Sequence, residues 1–484
     1  MKHFGKMIFG AAMIASLAAC TNETDFGQGA AGQVEEGIPT YARITLNVNQ
    51  MGSRAGMSRA TSISSGDESA LDGGVRILVF NKSGVLETNH YITKDKINMT
   101  GASGVATEKV KTTTGAKTIY AIANPSSVYF DFETKTPSNL ADFKNSIIKA
   151  FIQDQDSDTP VNKIAQAKQF FMTGFNDQVT LVKSTDQETK NQVTIKVTRL
   201  AAKAALKFDN NALASGANFM PANTAVTVTE NDIHFQLAQN NKEFKIYVAD
   251  GTFSPKGSDA EQPTSPVPAL TYSHLTALDW NRCTDGNSAW VAALSKAQSF
   301  TDVALQMSNF AYTSENINQT PKEGNVTFAV IKVKLNPTKF TSNDGTQVGE
   351  TFYAVVNNGG LGADHLNVSE IKSYYGIYKD ETTANTAKAE AGNDYAVIKY
   401  TDGYAYYRLN LRDKAIKNNI INRYAVKRNH YFKITVDAIN NPGVNKAEDL
   451  FPNKPDTPVE EEANIDATIE VLDWVDVNMT EPLG

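Results

Sequence analysis

The chain has 484 residues, of which 41% are hydrophobic, 20% charged and 9% aromatic, and its formal net charge is −7. That length exceeds one ordinary hydrophobic core and predicts two domains. The acidic balance removes the electrostatic case for nucleic acid or for a basic membrane-binding patch, so neither is expected as a partner.

Residues 1–20 read as an export signal. Lys2 and Lys6 precede a short apolar run that is too brief to span a membrane. The run ends Leu17-Ala18-Ala19-Cys20, which fits a lipobox and predicts lipidation of Cys20 in a lipoprotein precursor. The one other cysteine, Cys283, then has no disulfide partner, so core packing must hold the fold. Residues 21–37 are a polar tether.

A strand follows at 41–49, where Ala42, Ile44, Leu46 and Val48 alternate with Arg43, Thr45 and Asn47. It runs into a flexible loop, Gly52-Ser53-Arg54-Ala55-Gly56-Met57-Ser58-Arg59. Strand signals recur at 75–80 and 85–92 around the turn Asn81-Lys82-Ser83-Gly84, in the apolar run 117–125 stopped by Pro125, and at 193–197. Leu140, Phe143, Ile147 and Phe151 have helical spacing, with Ser138 as a candidate N-cap.

The boundary between a first domain, residues 38–205, and a second, residues 206–440, is expected near 205. Strands are predicted in the second at 224–229, 233–237, 243–248, 326–335, 351–356, 395–400, 404–410 and 430–438. A less regular region at 250–320 includes a helix candidate at 288–298. Short strands between Gly, Asn and Pro turns predict a mainly β fold built of β-sandwiches with a few short helices.

The tail is a linker, residues 441–464, with Pro442, Pro452, Pro455, Pro458 and the run Glu460-Glu461-Glu462. Proline stiffens the chain and the acidic run solvates it. A last strand occupies residues 465–479 within the terminal segment 465–484. Ile465, Ala467, Ile469, Val471, Val475, Val477 and Met479 share its apolar face, with Asp473 the exception.

No catalytic residue, metal site or cofactor is expected. The six histidines lack metal-ligand spacing, and no nucleophile elbow, P-loop or zinc-protease helix occurs. Asp154, Asp156 and Asp158 open like a calcium loop, but Thr159 stands where Gly is needed and Ala165 where Glu is needed. Gly359-Gly360-Leu361-Gly362 reads as a turn. Asp364 and His365, adjacent on an extended chain, point to opposite faces.

Several segments in order resemble one family. They are the lipobox, the strand before Ser53-Arg54-Ala55-Gly56, Lys117-x-x-Tyr120-Ala121-Ile122-x-Asn124, and Asp232-Ile233-His234-Phe235 followed by Phe244-Lys245-Ile246-Tyr247. Tyr312-x-Ser314-Glu315, Gly324-Asn325-x-Thr327, Lys332-x-Lys334-Leu335-x-Pro337, Arg428-Asn429-His430-Tyr431 and the terminal strand with Trp474 continue the series. The chain resembles the stalk fimbrillins of the Bacteroidales type V pili, most closely the major subunit of the minor (short) fimbriae.

That resemblance implies two transthyretin-like β-sandwich domains and a precursor anchored in the outer membrane. It also implies cleavage after an arginine by a trypsin-like or Arg-specific protease, then polymerisation by strand exchange. Arg54 matches the family's Arg-Ala-Gly context, with Arg59 the alternative. Removing the first strand, with Ile44, Leu46 and Val48, would expose an apolar groove and unpaired backbone groups. The terminal strand of a neighbour, through Ile465, Ile469, Val471, Val475, Val477 and Met479, would refill it by β-augmentation. Six such side chains at about 1.5–3 kcal/mol each give a gross term on the order of 9–18 kcal/mol. Expected partners are further copies of the chain and accessory anchor or tip pilins, in a surface fimbrium supporting adhesion. Two other readings are an anchor or tip subunit of the same pilus, and a glycan-binding surface lipoprotein using Trp280, Trp290 or Trp474.

Overall fold

The computed structural model describes residues 34–48, most of 66–246, residues 295–296, and most of 310–473. The fold is mainly β, in several sheets, as expected. Strands of the first half are β1 (Pro39–Val48), β2 (Val75–Asn81), β3 (Leu86–Ile92), β4 (Ile97–Thr100), β5 (Ser103–Ala106) and β6 (Val110–Thr113). They continue with β7 (Gly115–Ala123), β8 (Ile147–Lys149), β9 (Phe151–Gln153), β10 (Pro160–Asn162), β11 (Met172–Leu181) and β12 (Gln192–Arg199). Nine of these form one sheet in the order β3-β2-β7-β11-β12-β1-β5-β4, with β6 also on β1.

The second half holds β13 (Ala202–Phe208), β14 (Ala225–Val228), β15 (His234–Ala238), β16 (Glu243–Lys245), β17 (Ser295–Lys296) and β18 (Ala311–Thr313). Then come β19 (Phe328–Lys339), β20 (Phe352–Asn357), β21 (Ser373–Tyr378), β22 (Tyr395–Tyr400), β23 (Tyr404–Asn410), β24 (His430–Ile439) and β25 (Ile465–Asp473). They make sheets β18-β13-β24-β25, β14-β19-β15-β17 with β23 on β19, and β21-β20-β22. Both halves share one device. The first strand lies parallel to a late one: β1 on β12, and β13 on β24.

Two large apolar clusters form the core, one drawn chiefly from residues 42–205 and one from residues 202–469. They interlock, because Ile246, Phe310 and Tyr431 of the second half pack into the first cluster. Strand β16 also pairs with β8. At the junction the buried Glu68 carboxylate meets Lys203 Nζ at 3.1 Å and accepts from the Tyr312 hydroxyl at 2.6 Å. Arg199 Nε donates to the Glu68 carbonyl at 2.8 Å. The Lys203 ammonium also lies over the Phe310 ring at 4.2 Å. Burial and the neighbouring Glu68 charge push the Tyr312 hydroxyl well above its ordinary pKa, so it stays a donor.

The helix expected from residue 140 is only Leu140–Lys144, capped by Asn139 rather than Ser138. Ile147 and Phe151 lie in β8 and β9, so their helical spacing spans three separate elements. A helix the sequence reading missed, Glu381–Ala391, is capped by Asp380 and ends at Gly392 with φ 110°. Only Ala384 and Ala387 of it are buried, too little for an apolar stripe. The turn at residues 359–362 is as expected, with Gly359, Gly360 and Gly362 all at positive φ.

The expected linker at 441–464 is corrected in its first part. Val444, Ala447 and Leu450 are fully buried members of the second core. The Gly443 carbonyl accepts from the hydroxyls of Tyr374 and Tyr400, both at 2.7 Å. Gly443 has φ 67°, and a Cβ there would lie 2.6 Å from the Tyr406 carbonyl oxygen. Proline breaks the secondary structure here without detaching the chain. Farther on, Lys322 meets Asp456 at 2.9 Å and Glu323 N donates to the Thr457 carbonyl at 3.0 Å.

Candidate assembly site

Strand β1 is an interior strand assembled from chain far away in sequence. On one side Arg43–Val48 pair in parallel with Gln192–Val197 of β12. On the other, Pro39–Ala42 pair antiparallel with β6, and Thr45–Asn47 with β5. A period of two sends alternate side chains inward. Thr40, Ala42, Ile44, Leu46 and Val48 are each no more than 3% exposed, so the predicted Ile44, Leu46 and Val48 all face the core.

Both flanks of β1 depend on it. Among the described residues β6 has no ladder partner except β1, and the β4–β5 hairpin reaches the sheet through β1. Without β1, β12 loses a six-residue ladder. Gly104 on β5 stands opposite Leu46, and a Cβ there would come within 2.8 Å of the Met99 sulfur. Gly104 itself therefore brings no side chain into the space beside Leu46, and its neighbours Met99, Ile97 and Leu71 crowd the place a Cβ would take.

Polar groups set where β1 begins. The Thr40 hydroxyl donates to the Val182 carbonyl at 2.7 Å and accepts from Ser184 N at 2.9 Å. Asn191, held at φ 57°, donates from its side chain to the Tyr41 carbonyl at 3.0 Å, and its own carbonyl accepts from Arg43 N at 3.0 Å. Asn191 thus prolongs the pairing beyond the end of β12. Sequence reasoning missed Thr40, Asn191 and Ser103, whose hydroxyl reaches the Asn47 side chain at 3.0 Å. Their roles come from partners 56 to 151 residues away, and no local pattern marks them.

The second element is β25. Ile465, Ala467 and Ile469 are buried and Val471 is partly buried, so the predicted apolar face exists. It lies on its own chain. Strand β25 pairs antiparallel with β24 as the edge of the four-stranded sheet, with Ile469 opposite Ile434. Lys414 Nζ donates to the Ala467 carbonyl at 2.7 Å, and Lys433 meets Glu470 at 3.2 Å. The free terminal strand expected from the sequence is therefore self-docked over 465–473.

Cys20, Arg54, Arg59, Val475, Val477 and Met479 lie outside the described residues, as do Cys283, the three tryptophans, Asp154, Asp156, Asp158 and the helix candidate at 288–298. The described chain resumes at Gly66, and Glu68 enters the buried junction two residues later. No helix among the described residues is long and apolar enough to cross a membrane. No group of three metal-ligating side chains occurs among them either.

Residues 42–208 match the family described as major fimbrial subunit protein (FimA). Residues 398–480 match that described as major fimbrial subunit protein type IV, fimbrillin, C-terminal. The minor fimbrium subunit Mfa1 of Porphyromonas gingivalis is 23% identical over 479 residues, covering 94% of this chain and 90% of that protein. A fimbrilin from Porphyromonas gingivalis W83 superposes with a TM-score of 0.45 at 16% identity, over 91% of this chain and 99% of that one. The tip fimbrial protein Mfa3 from Porphyromonas gingivalis does so with a TM-score of 0.39 at 11% identity, over 90% and 100%.

Proposed function

The chain belongs to the fimbrillin family, and on that premise we propose that it is the polymerising shaft subunit of a cell-surface fimbrium. Its role is structural rather than enzymatic, and its partners are other pilin subunits. The precursor travels as a lipoprotein acylated at Cys20. A protease cutting after Arg54, or after Arg59, then separates the lipid and β1 from the rest. The terminal segment of a neighbouring copy takes the place of β1, which makes the contact a donor-strand exchange.

One observation carries this reading: β1 is an interior strand, yet its last residue, Val48, lies six residues before Arg54. A single cut after Arg54 or Arg59 turns a covalently held core strand into a separable peptide. What it leaves is an apolar trench walled by unpaired backbone of β12, β5 and β6. Such a trench is costly until another strand fills it. Placing β1 there before cleavage keeps the precursor monomeric during export.

Limited trypsin treatment of the purified precursor is expected to remove about the first 54 residues and to yield ladder-forming oligomers. A variant truncated before residue 465 should be cut alike and stay monomeric. If the cut full-length protein stays monomeric at high concentration, the shaft role is wrong.

A further inference from the structure

We infer that β25 of one copy enters the β1 place of the next in the direction of β1 itself, parallel to β12, with Ala467 at the position of Ala42. This inference rests on the donor-strand reading above and adds the direction and register of the strand.

The β1 place has a defined size profile. Its five inward positions are small at Thr40 and Ala42, then large at Ile44, Leu46 and Val48. Every second residue of the terminal segment from 465 to 479 reads Ile, Ala, Ile, Val, Asp, Val, Val, Met. Ala467 is the one small apolar residue in that series. Setting it at Ala42 in the parallel direction puts Ile469 at Ile44 and Val471 at Leu46, three close matches in succession. The two poor matches, Ile465 at Thr40 and Asp473 at Val48, fall at opposite ends of the strand.

Other placements put a misfit in the middle. Advancing the donor by two residues sets Ile469 at Ala42 and Asp473 at Leu46, an overfilled slot and a buried charge. Moving it back by two sets Ile465 at Ala42 and Ala467 at Ile44, a clash beside a void. Reversing the strand with Ala467 still at Ala42 brings Ala463 and Glu461 to Leu46 and Val48. A reversed placement confined to 465–473 sets Val471 at Ala42 and Ala467 at Leu46. Because the side-chain period is two, shifts by one residue expose the apolar face instead.

The move from self-docked to exchanged also has a direction. Among the described residues, β25 in its own chain is an edge strand with one ladder, to β24. In the β1 place it gains two, with β12 on one side and β5 and β6 on the other. The precursor holds both strands at home, since β1 fills the better place until it is cut away.

The register predicts a specific contact. Glu470 takes the position of Thr45, whose antiparallel partner is Val105. Directly opposed antiparallel residues have Cα separations within disulfide reach. A shift of two residues offsets the pair by ~6.6–6.8 Å along the strand, which leaves a diagonal separation of about 7–8 Å, past the usual disulfide range. Chains carrying Cys283→Ser with Val105→Cys would be cleaved and copolymerised with chains carrying Cys283→Ser and Glu470→Cys. After mild oxidation, non-reducing denaturing gels should show a cross-linked dimer. The same Val105→Cys partner with Thr468→Cys or Leu472→Cys should give less than about a tenth of that yield. Filaments that cross-link preferentially through 468 or 472, or through none of the three, overturn the register while leaving strand exchange standing. Failure of unsubstituted cleaved chains to form filaments overturns the donor-strand reading itself, and the register with it.

Discussion

Replacing Leu46 by Ala in the precursor tests whether the grip on β1 controls assembly. Leu46 is 3% exposed, paired with Ile195 on β12 and opposite Gly104 on β5. Truncating a buried Leu to Ala costs about 2–5 kcal/mol, more when the surroundings cannot collapse into the void. Gly104 offers no side chain to do so, and its backbone is fixed by pairing with Leu46 on one side and Met99 on the other. After cleavage β1 leaves as a peptide, and contacts broken before its exit barrier appear in the release rate. Even the lower figure then speeds release about 30-fold, at 1.4 kcal/mol per tenfold. Nicked wild-type and Leu46→Ala precursors would be compared by appearance of the free N-terminal peptide and by growth of oligomer ladders. Both rates should rise together, and uncut Leu46→Ala precursor should stay monomeric with a lowered Tm. A lowered Tm with both rates within a factor of about two of wild type would refute the argument.

Glu68→Gln should lower unfolding free energy by about 3–5 kcal/mol, because it leaves the fully buried Lys203 ammonium without its carboxylate; a loss below about 1 kcal/mol in urea titration would show that the junction does not need the charge pair. Asp380→Ala removes the side chain that accepts from Thr383 N at 2.8 Å and should cost about 1 kcal/mol, seen as faster amide exchange confined to Glu381–Ala391. Glu87 sits below the ordinary carboxylate range. Burial works against this, but hydrogen bonds from Lys117 and Thr113 outweigh it. Its folded pKa is thus depressed, so its stabilising contribution is present above the unfolded value and lost as pH falls through the folded one. Thermal scans from about pH 6 to about pH 3 should show a shallower acid slope for Glu87→Gln, and an unaltered slope would remove Glu87 from the account.

Local pattern carried most of the element-level reading. The alternation Ala42, Ile44, Leu46, Val48 marked both a strand and its inward face, and β22 and β23 occur at their expected bounds, 395–400 and 404–410. Spacing misled where one period was satisfied by accident, as at Leu140, Phe143, Ile147 and Phe151, which belong to three elements. The helix Glu381–Ala391 announced itself only through Asp380, Thr383 and Gly392, since a helix burying two alanines shows no apolar stripe. In the tail, prolines suggested a free leash, yet Val444, Ala447 and Leu450 carry enough apolar surface to dock.

The sequence by itself determined which residues alternate, where turns interrupt them and which face of each strand is apolar, because a strand's period depends only on neighbouring residues. Which strand lies beside which was decided by tertiary structure alone. Strand β1 joins residues 39–48 to 192–197 and to 103–113, and β25 returns to 430–439. Such pairings depend on how distant segments compete for the same ladder. That competition makes β1 an interior strand and β25 an edge, though both show the same alternation.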